Sequence, residues 1–176
     1  MNKKFCEKLE EIFEEKNTQK INKEKLQEYE KLTGIKISTE HLYILENYED
    51  VFINDDYGFV AKQLSPFAGT DGYETFNVFI GFNTEYDLIE TYEMLKEQLP
   101  DNVYPIAEMD GGNYICISKN GEIYIWLHDH LEQDGLFMAN TSLEKFVLSI
   151  EKMQEDSDID VSQVKCWFAD GFWDKI

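Results

Sequence analysis

Residues 104–130 read Y-P-I-A-E-M-D-G-G-N-Y-I-C-I-S-K-N-G-E-I-Y-I-W-L-H-D-H. Two stretches within them alternate. Ile115 and Ile117 fall opposite Tyr114 and Cys116, while Ile123, Ile125 and Leu127 fall opposite Tyr124, Trp126 and His128. A pleated strand points successive side chains to opposite faces, so both stretches are predicted as strands. Asn120-Gly121 lies between them. This dipeptide suits a type I′ hairpin turn, which needs φ > 0 at both central residues. Asp110-Gly111-Gly112-Asn113 marks a second turn upstream. An antiparallel meander at the centre of the only sheet is the expected result.

Helical periodicity flanks this meander. Phe5, Leu9, Ile12 and Phe13 share one face of a helix predicted over residues 3–16. A second is predicted over 22–33, with Leu26, Tyr29 and Leu32 inward and Gly34 as its C-terminal cap. Ser38 or Thr39 caps a third, which carries Leu42, Leu45 and Tyr48. Residues 57–61 and 75–82 read as strands around a loop containing Pro66, Gly69 and Gly72. A helix from Asn83 or Thr84 places Leu88, Tyr92, Leu95 and Leu99 on one side and stops at Pro100. Residues 136–139 read as a strand. Thr141-Ser-Leu-Glu144 matches a capping box for a last helix carrying Phe146, Val147, Ile150 and Met153. Helices, strands, a helix, more strands and a helix predict an α+β fold: one domain over residues 1–176, with a curved, mainly antiparallel sheet flanked by helices.

The net charge of −20 is carried unevenly. Residues 1–33 hold eight lysines and eight glutamates, whereas residues 34–176 hold eight lysines against 28 acids. There is no arginine, the residue that best forks phosphates and guanine edges. This balance argues against nucleic-acid binding and against an anionic membrane, and favours a basic protein partner. Cys6, Cys116 and Cys166 are widely spaced and odd in number, which suits a reducing compartment without structural zinc. No secretory leader and no membrane-length apolar run is legible, so a cytoplasmic location is expected.

A resemblance rests on an ordered progression of short motifs. These are Tyr104-Pro105-Ile106-Ala107, Asp110-Gly111-Gly112-Asn113, Gly121, Ile123-Tyr124-Ile125-Trp126, His128-Asp129, and Met138-Ala139-Asn140-Thr141-Ser142 ahead of Phe146. In this progression the chain resembles the SUKH superfamily over residues 24–153. That family includes a fungal cell-wall assembly regulator and many bacterial immunity proteins. Two junctions depart from its pattern. Ile37-Ser38 stands where a Leu-Pro pair is common, and Asn47-Tyr48-Glu49-Asp50 where an Asn-Gly-Gly ending is common. The resemblance implies binding rather than catalysis: an immunity protein (antitoxin) that occludes a cognate protein toxin of a kind often nucleolytic, and the acidic charge of this chain points to a basic one. It also implies structural roles for Pro105, Gly111, Gly112, Gly121, Trp126 and His128. Residues 154–176 form an aromatic extension outside the match.

The same residues admit other readings. A regulatory scaffold for an endogenous partner is one. A small metal-dependent enzyme built on His128-Asp129-His130 is another, but no motif supplies a third ligand. Asp156, Asp158 and Asp160 alternate like a calcium loop without its glycine or its closing glutamate. No cofactor and no catalytic or metal-binding residue is expected, and the chain is read as a monomer or weak homodimer. The expected partner surface is acidic: Glu49, Asp50, Asp55, Asp56 and Tyr57 in one loop, Asp129, Glu132 and Asp134 in another.

Overall fold

The computed structural model describes residues 1–82, 87–130 and 135–153. Those residues form five helices: α1 (Lys3–Ile12), α2 (Lys23–Thr33), α3 (Thr39–Asn47), α4 (Leu88–Leu95) and α5 (Leu143–Ser149). Their strands are β1 (Tyr57–Gly58), β2 (Val78–Phe79), β3 (Val103–Glu108), β4 (Tyr114–Ser118), β5 (Ile123–Trp126), β6 (Leu136–Asn140) and β7 (Glu151–Lys152). The meander is central, as expected. Strands β2-β3-β4-β5-β6 follow one another in an antiparallel sheet. It is not the only sheet, because β1 and β7 pair in a separate two-stranded ladder.

Alternation along the central strands sorts two cores. Ile106, Ile115, Ile117, Ile123 and Ile125 join Phe5 and Leu9 of α1, Ile44 of α3, and Phe146 and Val147 of α5 in the larger one. Val103, Cys116 and Trp126 face the other way and pack with Leu95 at the end of α4. Tyr29, Leu45, Ile80, Phe82 and Leu88 form a third cluster where α2, α3 and α4 meet beyond β2. Pro105, which has no N–H to give a ladder, sits where the β3–β4 register shifts.

The hairpin turn differs from the expectation. Among the described non-glycine residues only Asp50 and Asn102 have positive φ, so Asn120 does not, and the turn is not type I′. Ser118 O accepts from Gly121 N at 2.9 Å, and Ser118 N donates to Glu122 O at 2.8 Å. This is a three-residue loop closed by Gly121 at φ 87°. The Ser118 hydroxyl drives it by accepting from the N–H groups of Asn120 (3.3 Å) and Glu122 (3.2 Å).

Several helix ends are corrected too. α1 stops at Ile12 rather than residue 16, because Phe13 turns extended to stack on Tyr48 at 4.9 Å and to bridge Ile53. α4 starts at Leu88 because Asp87 caps it, accepting from Ile89 N (2.8 Å) and Glu90 N (3.1 Å). The last helix is capped by Ser142, not Thr141. Glu144 does not reach back but accepts from Asn2 Nδ2 at 2.6 Å. Met153 lies beyond that helix, and Leu32 is exposed rather than inward. The strands expected over 57–61 and 75–82 shrink to β1 and β2, while Gly34 ends α2 as foreseen. No helix among the described residues is long and apolar enough to cross a membrane.

Candidate partner-binding surface

The early end of α1 shapes the main candidate surface. Asn54 N donates to Ile12 O at 3.0 Å, which lays residues 50–55 alongside Phe13 and brings Glu14 and Glu15 against them. Between them lies a groove of about 330 Å³ whose wall includes Glu14, Glu15, Asp50, Phe52 and Asp55. Residues 51–53 are extended here. Val51 and Ile53 point into the core, so Phe52 points out and is 60% exposed. Its backbone is fixed all the same: Phe52 bridges Val78, and Ile53 N donates to Asn77 O at 2.9 Å. Asp50 holds φ 60° and donates its N–H to Phe79 O at 3.2 Å. An aromatic ring on an anchored backbone that shares one groove with four carboxylates is the outcome.

The residues predicted for this surface divide. Asp55 and Asp56 are exposed, and Asp56 pairs with Lys152 at 3.1 Å. Tyr57 is half-buried against the core. Glu49 is corrected, because it is only 1% exposed and cannot meet a partner. Its carboxylate accepts from the backbone N–H of Phe82 and lies over Gly81, where the absence of a Cβ leaves the space it fills. Close by, Lys25 Nζ donates to Phe82 O and pairs with the buried Asp87 at 2.6 Å. A carboxylate buried in this way needs such partners to offset its lost hydration.

Asp129 belongs to a second patch. It is exposed and lies 2.9 Å from His128 Nε2. Asn113 Oδ1 accepts from His128 N at 3.2 Å and sits 3.2 Å from its Nδ1, and Gly112 lies beside the ring. Four ladder steps separate the patches: Phe52 to Val78, Glu108, Tyr114 and Trp126. At roughly 4.8 Å per step that is about 19 Å along one end of the sheet. Asp110, exposed and bonded by Asn77 Nδ2 at 2.9 Å, stands between them. Glu132 and Asp134 lie outside the described residues, as do the aspartates of the calcium-like run, Cys166 and the aromatic extension.

Sequence reading missed Glu14, Glu15, Phe52 and Asp110. Glu14 and Glu15 read as the outer face of the helix over residues 3–16. Phe52 would be taken for core, and only the buried pair on either side of it marks it as outward.

His128 and His130 follow β5 in a turn rather than on a strand, with His130 edge-on to Phe137 at 6.4 Å. No cluster of three or more His, Cys, Asp or Glu among the described residues is placed to hold a metal. Cys116 is fully buried, and burial pushes its thiol well above the ordinary range, which disfavours the reactive thiolate.

A five-stranded antiparallel sheet with α1, α3 and α5 over one core and an acidic rim bearing an exposed aromatic describes an α+β protein with one candidate contact surface. The chain belongs to the SMI1 / KNR4 family (SUKH-1), whose model matches residues 20–149. The wider SUKH family includes toxin-immunity proteins. A similar protein is the SPbeta prophage-derived uncharacterized protein YokK of Bacillus subtilis (strain 168). It is 28% identical over 153 residues, covering 78% of this chain and 79% of that one. No solved structure matches the chain.

Proposed function

We propose that this chain is an immunity protein that binds a basic, cognate toxin domain and neutralises it by covering its working surface. The observation that carries the reading is Phe52, 60% exposed on a fixed backbone and sharing one groove with Glu14, Glu15, Asp50 and Asp55. Interfaces concentrate their energy in a few aromatic anchors within a ring of weaker contacts. Charges around such an anchor accelerate encounter with an oppositely charged partner. Asp56 and Tyr57 extend the same surface. Asp110 and Asp129 are within reach of one standard interface of about 800 Å² per partner. Family membership supports binding as the activity.

The test is association with the toxin domain encoded by the adjacent reading frame. Phe52→Ala should weaken binding about 30-fold, mainly through faster dissociation, as the loss of an anchor worth ~2 kcal/mol implies. Asp55→Asn with Asp56→Asn should slow association and flatten its dependence on salt. An affinity unchanged by Phe52→Ala, together with an association rate indifferent to salt, would reject this surface.

A further inference from the structure

One face of the central sheet is only half covered. α1, α3 and α5 lie over the side that carries Ile115 and Ile125. On the other side Leu95 of α4 and Leu99 after it pack on Val103, Cys116 and Trp126. The register carries that face on to the edge strand, with Trp126 opposite Leu136 and Tyr124 opposite Met138. Leu136 reaches the cluster around Trp126, but the half-buried Tyr124 and Met138 join none of the three cores. A cavity of about 450 Å³ opens there, with Pro100, Val103, Tyr124 and Leu136 in its wall. That volume is within the range of clefts that take small ligands.

The described chain ends close to this face. Met153 N donates to Asp56 O at 2.8 Å, which sets the last described residue beside β1. From Asp56 the backbone runs to the outer edge of β6, where Lys62 N donates to Ala139 O at 3.2 Å and Gln63 N to Met138 O at 2.9 Å. That run spans no more than ~25 Å. The thirteen residues between Met153 and Trp167 reach ~45 Å when extended. The C-terminal extension therefore starts within reach of Met138.

Composition supplies an independent reason. Trp167, Phe168, Phe172 and Trp173 fall within seven positions of that extension. Each such side chain buries about 150–250 Å², so the four present roughly 600–1,000 Å². The largest apolar patch on a typical monomer is only about 300–600 Å². Aromatic surface on that scale needs a cover, and a half-covered sheet face needs a second layer. Asn102 and Asn120 also line the cavity, and their amide oxygens suit an indole N–H as acceptors.

We propose that the extension docks on this half of the sheet in its own chain, with the indole of Trp167 or Trp173 seated against Tyr124, Leu136 and Met138. Phe52 adjoins β2, at the opposite edge of the sheet, so the docking stands or falls separately from the toxin-binding surface.

The experiment uses the full chain with carbon-13 in the methyl groups of its five methionines. In the NMR spectrum the Met138 methyl should show nuclear Overhauser contacts to the ring of Trp167 or Trp173, and its resonance should be displaced upfield by that ring. In the variant Trp167→Leu with Trp173→Leu both effects should be lost, while the Met109 methyl, buried in the other core, stays in place. The wild-type contacts are read without any variant, so a double variant that misfolds leaves the answer standing. A Met138 methyl without contact to either indole overturns the proposal and leaves the face to a protein partner. So does a resonance unmoved in a folded double variant. Mixing chains labelled at methionine with chains labelled only at tryptophan separates one copy from two. Contacts between the two labels would show the extension covering a second copy, and would overturn docking within the chain.

Discussion

Replacing Gly81 by alanine tests the buried carboxylate most directly. A Cβ built on Gly81 falls less than 3.0 Å from Cγ, Cδ and Oε1 of Glu49, closer than real Cβ atoms approach anything. Gly81 has no positive φ, so its backbone accepts an L residue and the cost is steric. Glu49 must move, and in moving it releases the N–H of Phe82. Overpacking costs about 1–3 kcal/mol. Losing a buried bond to a charged group costs about 1.5–3 kcal/mol more. Gly81→Ala should then destabilise by roughly 3–6 kcal/mol, a fall in Tm of roughly 6–24 °C for a chain of this size. The assay is urea unfolding followed by circular dichroism, run as a double-mutant cycle. Glu49→Ala alone should cost about 1–3 kcal/mol, since it leaves the Phe82 donor unsatisfied. In that background the three atoms nearest the new Cβ are gone, so Gly81→Ala should cost clearly less than it does in the wild type. Additivity of the two changes within ~0.5 kcal/mol would refute the close approach of Glu49 to Gly81.

Trp126 is 1% exposed, and its Nε1 has no hydrogen-bond partner. Trp126→Ala should therefore cost about 3–5 kcal/mol through its cavity, while Trp126→Phe, which sacrifices no bond, should keep most of the stability; equal losses in thermal melts would contradict this. Burial lowers the pKa of His41 from 6.5 to about 4. The unfolded chain then binds the extra proton between those values, so the stability His41 contributes is present above pH 6.5 and is lost as pH falls toward 4. In chloride buffer, moving from pH 7 to pH 5 should destabilise the wild type by about 2 kcal/mol more than His41→Gln; parallel profiles would place the imidazole in contact with water.

The meander was legible because its signal is local. A period of two over residues 114–118 and 123–127 sorts Ile115, Ile117, Ile123 and Ile125 from Cys116 and Trp126 without knowledge of any other segment, and the structure puts the two sets in different cores. The turn between them was half legible. Gly121 fixed its place, but Ser118 decided its type through a hydroxyl whose two bonds no dipeptide rule anticipates. Residues 57–61 and 75–82 look like strands because their aromatic and β-branched side chains are buried. Burial there comes from loop packing around Phe59 and Phe76, with Glu74 accepting from Ser65 N at 3.1 Å and Oγ at 3.0 Å. Composition reports burial and says nothing of which ladder a backbone can join.

Acidic residues near Asp50 were legible as a surface, but the identity of its members depended on contacts far apart in sequence. Glu49 reads as solvent-facing by residue type. It is buried because Gly81 and the Phe82 N–H, about thirty residues later, provide space and a donor. Glu14 and Glu15 read as the outer face of a helix. They line the groove because Phe13 leaves the helix to meet Tyr48 and Ile53. Phe52 is the opposite case, an apolar residue placed outside because Val51 and Ile53 take the inward positions of a short extended run. The first two displacements are set by partners in another segment, and the third by the residues on either side of Phe52. Charge count alone therefore predicts the sign of the candidate surface, and it takes the packing of Phe13 to say which acids share a groove with Phe52.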